Sequence, residues 1–174
     1  MLVAFIAVAL VLLDLFFLYL LWIGAPYIPT KKSGVEKIIQ CCEIRPGLKA
    51  ADIGSGDGRI VIALARAGGE GQLSWPEAYG YEINPLLVWW SRMKIRQAGL
   101  DGRAFIHRKN LWRADFSSFD VVTVFGVFHI MRRLETKLRR ELKPGARAVS
   151  IGFEFPTWPA AEKHDGIYVY IQPD

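Results

Sequence analysis

The sequence predicts an α/β fold: a doubly wound, mostly parallel sheet preceded by an apolar helix. Three observations carry this. Short β-type apolar runs, such as residues 78–83 and 119–125, alternate with longer segments of helical periodicity, the pattern of a parallel sheet wrapped by crossover helices. A glycine-rich stretch, Asp52-Ile53-Gly54-Ser55-Gly56-Asp57-Gly58, joins one such run to an Ala/Leu/Ile-rich segment, as in the opening strand–loop–helix unit of a Rossmann-like sheet. Residues 2–23 form an apolar block unlike the rest of the chain. At 174 residues there is room for about one domain.

That apolar block is broken only by Asp14 and holds no Lys or Arg. As a helix it spans roughly 33 Å, against about 30 Å of bilayer hydrocarbon. No basic segment precedes it and no small-x-small cleavage site follows, so it reads as a retained anchor, not a signal peptide. The expected organisation is a transmembrane anchor over residues 1–24, a linker over 25–32 and a catalytic domain over 33–174. Lys31, Lys32 and Lys37 follow the block, and the positive-inside rule then places the domain of a single-pass membrane protein on the cytoplasmic or matrix side. A mid-span acid costs about 2.5–3.5 kcal/mol. Asp14 therefore reads either as a polar contact to another membrane helix or as a tolerated, protonated acid.

All 22 Lys and Arg follow residue 30, against 16 of the 17 acids, so the remainder carries a formal charge near +6. A tethered basic domain suits anionic headgroups, at about 1 kcal/mol per basic residue near the surface. No recognition module or aromatic–basic stripe points to nucleic acid. Cys41 and Cys42 are adjacent, badly placed to pair, and show no metal-ligand spacing; they read as packing residues in a reducing compartment, with no metal site.

The elements follow in order. Pro26 and Pro29 make residues 24–30 a stiff non-helical linker. Ser33 and Glu36 have capping-box spacing, opening a helix whose Val35, Ile38, Ile39 and Cys42 face inward. A turn at 45–47 leads to a first strand at 48–53. The helix after the glycine loop, 58–67, stops at Gly68-Gly69. Residues 70–77 lack periodicity and read as loop, and 78–83 as a second strand. Asn84-Pro85 supplies an N-cap and a first-turn proline for a helix ending before Gly99. Residues 104–107 form a short third strand and 119–125 a buried central one. A helix over 131–143 carries Leu134, Leu138 and Leu142 on one face. Strands at 146–153 and 166–172 complete the sheet.

In doubly wound folds ligands bind beyond the C-terminal strand ends. The first strand delivers Asp52 and the loop glycines Gly54, Gly56 and Gly58, with Ser55 between them. A dinucleotide fingerprint wants a third spaced glycine where this chain has Arg59. Acid-x-Gly-x-Gly-x-Gly instead resembles motif I of the class I S-adenosylmethionine (SAM) methyltransferases. The second strand delivers Glu82, 24 residues after Gly58, near the spacing of an acid that accepts hydrogen bonds from ribose hydroxyls; its charge also complements a sulfonium. Asn84 follows directly. At the third strand's exit Asn110 is placed to bond the adenine edge, with Leu111 and Trp112 packing beside it. The fourth exits as Phe125-Gly126-Val127-Phe128-His129 and lacks the Asn-Pro-Pro-aromatic motif of enzymes that methylate nucleobase amino groups or planar amides.

The chain resembles the membrane-anchored seven-strand protein-lysine methyltransferases related to the enzymes for the ATP synthase c subunit and the adenine nucleotide translocase. The resemblance runs through residues 26–30, motif I to Arg59, Gly80-Tyr81-Glu82-Ile83-Asn84-Pro85, Ser91-Arg92, Asn110-Leu111-Trp112, residues 124–129, Leu134-Glu135-x-Lys137-Leu138, Pro144-Gly145-Ala146-Arg147 and Phe153-x-Phe155-Pro156-x-Trp158. Two positions depart: the family has Asp at Asn110 and Pro at Phe128. The resemblance implies SAM as cofactor and transfer of methyl groups to a lysine of a protein near a membrane.

Such a transfer needs a neutral amine, whose free pKa is about 10.4, held opposite the sulfonium. His129 is the expected orienting or deprotonating group, Glu154 a second candidate at the fifth-strand exit, and Tyr27 a lid. Phe128, Phe155 and Trp158 are expected to wall the acceptor pocket, since ammonium is drawn to ring faces. Two alternatives stay open: a membrane-bound methyltransferase of a small amphiphile, and a SAM-binding module without catalysis.

Overall fold

A computed structural model describes residues 1–23, 29–67 and 75–174. Among them the helices are α1 (Leu2–Ile23), α2 (Lys32–Cys42), α3 (Arg59–Arg66), α4 (Pro85–Gln97) and α5 (Phe128–Glu141), with a single 3-10 turn at Leu111–Arg113. The strands are β1 (Lys49–Ile53), β2 (Glu77–Glu82), β3 (Ala104–Arg108), β4 (Val121–Phe125), β5 (Arg147–Ile151), β6 (Glu162–His164) and β7 (Ile167–Ile171). They form one sheet in the order β3-β2-β1-β4-β5-β7-β6. The first five strands are parallel, with Asp52 beside Gly80 and Thr123; β7 runs antiparallel to both β5 and β6. The order reverses between β1 and β4, so the ends of β1, β2 and β4 frame the crevice where ligands bind such sheets.

Strand alternation sorts side chains into two cores. Ala50, Ala78, Val121 and Val149 pack with Ile38 and Cys42 of α2, Val61 and Leu64 of α3, and Val88 and Ile95 of α4. Ala51, Ile53, Val122 and Ala148 face the other way, against Met131, Leu134 and Leu138 of α5 and the Phe116–Phe119 segment. The expected doubly wound sheet is therefore present, with three helices on one face and α5 on the other.

Four expectations are corrected. The N-terminal block is helical, but its side chains are described only over residues 4–16, all exposed. Among the described residues no helix is long and apolar enough to cross a membrane, which overturns the transmembrane helix and the single-pass localisation. Ser33 is not an N-cap: α2 begins at Lys32, with Lys31 in extended conformation and no side-chain cap. The carbonyl of Thr30 is held by Arg59, and the Cα of Gly34 packs on the Thr30 methyl (a Cβ there would lie 3.0 Å from it), so the chain turns helical before Ser33. Helix α5 starts at Phe128, three residues early, which puts Phe128 and His129 in its first turn. Finally, the sequence reading missed β6: three polar, largely exposed residues make no pattern, although the Asp165-Gly166 turn, with φ of 46° and 80°, is a hairpin signal. Residues 24–28, which include the first half of the expected 25–32 linker, lie outside the described residues.

Candidate active site

The site grows from β1. Its last turns place Asp52 at 3% exposure beneath the glycine loop, where the Thr123 hydroxyl donates to Oδ1 at 2.7 Å. Burial pushes the Asp52 carboxyl up to about 7, the Thr123 hydrogen bond opposes that, and the charges of Glu82 and Asp57 add to it. The loop leaves β1 in left-handed conformation: Gly54 has φ 75° with open space where a Cβ would point, and Gly58 has φ 78° with Ser91 Cβ 2.8 Å from that position. The first leaves the backbone accessible to a ligand; the second lets α3 start against α4. The Ser55 hydroxyl is buried over Gly80, with no hydrogen-bond partner among the described residues. Its backbone is engaged as well: Ser55 N donates to the Tyr81 carbonyl at 3.1 Å and its carbonyl accepts from Gly58 N at 2.9 Å.

Glu82 leaves β2 opposite the loop and is 9% exposed. Its Oε2 accepts from the Gly56 amide at 2.9 Å, while Oε1 accepts from the Ile83 and Asn84 amides, both at 2.8 Å. The carboxylate thus ties loop to strand, a role spacing alone does not reveal, and retains acceptor capacity for a diol. Asn84 caps α4 by accepting from Leu86 N at 2.9 Å. Asn110 likewise caps the 3-10 turn, accepting from Trp112 N at 3.0 Å, which leaves its amide group to reach a base edge. Leu111 and Trp112 are half-buried, and the Arg133 guanidinium lies over the Trp112 ring at 4.1 Å.

A third loop acid behaves differently. Asp57, 1% exposed, takes hydrogen bonds from Arg59 Nε at 2.8 Å and from Lys94 Nζ. Burial raises its pKa, but the hydrogen bonds and charges of Arg59 and Lys94 outweigh it and hold the carboxyl at about 2. Arg59 also reaches back to the Thr30 carbonyl. The residue that replaces a dinucleotide glycine therefore braces the loop against the chain entering α2. Asp52 and Glu82, by contrast, have no cationic partner among the described residues. A pocket floor with two uncompensated carboxylates and an open glycine backbone fits SAM, which carries a sulfonium, an ammonium and a ribose diol.

At the β4 exit Phe128 is 84% exposed and His129 is exposed beside it. The β5 exit differs from expectation. Phe155 and Trp158 are 4% and 5% exposed and pack on Tyr170 with centroids 4.7 and 5.3 Å away, so they belong to the core. Glu154 points outward and pairs with Lys163 at 2.9 Å. Tyr27 lies outside the described residues. No cluster able to hold a metal occurs among the described residues. Sequence reasoning missed the roles of Thr123, Lys94 and Glu135; each acts across the fold from its partner, which no local pattern announces.

Comparison with known proteins places this geometry. The ANTKMT methyltransferase domain matches residues 52–162. A protein-lysine N-methyltransferase of Saccharolobus islandicus is 33% identical, covering 84% of this chain and 92% of its own. The mouse lysine N-methyltransferase of the ATP synthase c subunit is 43% identical over 76% of this chain but only 51% of its own length, so the chain spans about half of that relative. Among solved structures, an RNA methyltransferase from Salinibacter ruber in complex with S-adenosyl-L-homocysteine superposes with a TM-score of 0.77 at 30% identity, covering 84% of this chain and 95% of that one. The class I methyltransferase fold and SAM as its cofactor are borne out. The chain belongs to the ANTKMT methyltransferase domain family.

Proposed function

We propose that the chain is a SAM-dependent protein-lysine N-methyltransferase. The observation that carries the reading is the pairing of a cation-seeking floor, Asp52 and Glu82, with an exposed aromatic and imidazole, Phe128 and His129, at the neighbouring strand exit. Relatives described as lysine N-methyltransferases, for the ATP synthase c subunit and the adenine nucleotide translocase in mouse and for protein lysine in Saccharolobus, support the acceptor class. We take the ATP synthase c subunit as the first acceptor to test.

Bound SAM supplies a methyl group made electrophilic by its sulfonium. The chain's residues do the rest. Glu82 holds the ribose and Asn110 the base edge, while Asp52 attracts the ammonium. The incoming ε-amine, with a free pKa of about 10.4, must lose a proton before its lone pair can attack. Phe128 meets the cation at the rim, where a ring face attracts ammonium. His129 in the first turn of α5 accepts the proton or orients the nitrogen. Glu154, paired with Lys163 on the surface, is the weaker candidate for that role.

Incubating the full chain with methyl-labelled SAM and the purified ATP synthase c subunit, then locating label by mass spectrometry, tests the proposal. Label on a lysine Nε is expected, with His129→Gln lowering kcat at unchanged SAM affinity. Label confined to added lipid or quinone would identify a small-amphiphile methyltransferase instead. SAM binding without transfer to any acceptor would leave a binding module.

A further inference from the structure

Glu135 lies on α5 at 4% exposure, among Met131, Leu134 and Leu138. A carboxylate at such a depth is costly unless its oxygens are bonded. Here both are. Oε2 accepts from the Thr157 amide at 3.0 Å, Oε1 accepts from the Thr157 hydroxyl, and the Arg139 guanidinium approaches Oε1 at 3.8 Å. A leucine would fill the same volume without desolvating a charge. The carboxylate adds direction: it fixes one point of the chain after β5.

That chain, residues 153–158, has no helix or strand of its own. Besides the exposed Lys163–Glu154 pair, three side chains from three different elements hold it. The Ser150 hydroxyl at the end of β5 donates to the Phe153 carbonyl at 2.6 Å, and the Tyr170 hydroxyl of β7 accepts from the Phe155 amide at 2.9 Å. Glu135 of α5 supplies the third hold. Among these, only Glu135 belongs to the helix whose first turn carries Phe128 and His129. Phe128 and Glu135 are seven residues apart, so they share one side of α5 about 10 Å apart along its axis. One end of that side is the exposed rim and the other is the clamp on the β5 exit.

We propose that Glu135 is a positioning residue of the acceptor site: it locks the 153–158 segment to α5 so that the β4 and β5 exits keep one spacing around the incoming lysine. The inference rests on the lysine-methyltransferase reading above. It deepens that reading by naming what sets the width of the acceptor opening. Cofactor binding lies on the far side of β4, at the ends of β1 and β2, and does not depend on this contact.

The test uses the full chain as wild type, Glu135→Gln, Glu135→Ala and Thr157→Val. Thr157 is exposed, and its valine variant removes only the hydroxyl bond to Oε1 while keeping the backbone amide bond to Oε2. Three quantities are read: SAM affinity, kcat and KM for methyl transfer to the purified ATP synthase c subunit, and amide hydrogen exchange over residues 153–158. Misplacement by about 1 Å can cost on the order of a hundredfold in rate. Glu135→Ala is expected to lower kcat/KM for the acceptor at least tenfold and speed exchange at Thr157, with SAM affinity within about twofold of wild type. Glu135→Gln, which still accepts one bond, and Thr157→Val are expected to fall between. Acceptor kinetics and exchange unchanged in Glu135→Gln and Glu135→Ala would overturn the proposal, as would a parallel loss of SAM affinity. If the wild-type chain itself transfers nothing to any protein lysine, the lysine reading fails and takes this inference with it, a result distinct from wild-type transfer that survives loss of Glu135.

Discussion

Asp52→Asn separates cofactor chemistry from stability. The Asp52 carboxyl titrates at about 7 in the folded chain, against an ordinary 3.8, chiefly because burial disfavours its charge. A raised folded-state pKa means the folded chain holds this proton more tightly than the unfolded chain does. Without SAM, stability therefore falls as pH rises from about 4 to about 7 and levels off above that. The shift of about three units corresponds to roughly 4 kcal/mol once the group is fully ionised. Asparagine removes the titration and can still accept the Thr123 hydroxyl, but its amide hydrogens need partners, at a cost of about 1–3 kcal/mol. The variant's stability relative to wild type should thus rise by roughly 2–3 kcal/mol between pH 5 and pH 8. Urea unfolding of cofactor-free wild type and variant at both pH values measures this. Calorimetry at pH 8 should show the same variant binding SAM at least about tenfold more weakly, since the carboxylate proposed to attract the ammonium is gone. A stability difference that does not change with pH would refute the argument: Asp52 would then be charged or neutral alike in both states.

Two other expectations follow from the same loop. Glu82→Ala removes the acceptor for the Gly56, Ile83 and Asn84 amides together with the proposed ribose contact, and charge-assisted bonds of about 1.5–3 kcal/mol each predict at least a hundredfold loss of SAM affinity; titration calorimetry showing wild-type affinity would remove the ribose assignment. Asp57 has the opposite sign to Asp52. Its folded pKa, about 2, lies below the ordinary 3.8, so it contributes stability that is present above about pH 4 and lost as pH falls toward 2, about 2 kcal/mol in all. Acid titration followed by circular dichroism should show this component in wild type and not in Asp57→Asn.

Much of the site was legible because its signals are local. A glycine in the left-handed region, an acid at a strand end and an Asn-Pro helix start are each imposed by backbone geometry over a few residues, so Gly58, Glu82 and Asn84 could be placed from spacing alone. Phe155 and Trp158 show the limit. An aromatic after a strand reads equally as pocket wall or core, and only the packing of Tyr170 from β7 decided for core. The apolar N-terminal block shows another. Its composition predicted a helix, and α1 is one, but among the described residues no helix is long and apolar enough to cross a membrane.

Neighbouring residues dictated the alternation of strands and helices, the glycine loop and the acid at the end of the second strand, because period-2 and period-3.6 patterns and turn chemistry are properties of short stretches of chain. The assembled sheet and its helices decided that Asp57 is neutralised by Lys94, 37 positions away, that Asp52 and Glu82 have no cationic partner among the described residues, and that Glu135 grips Thr157 across 22. These pairings come from which strands lie side by side and which helix covers them. A lone acid carries no trace of its future partner until the sheet order brings the two together.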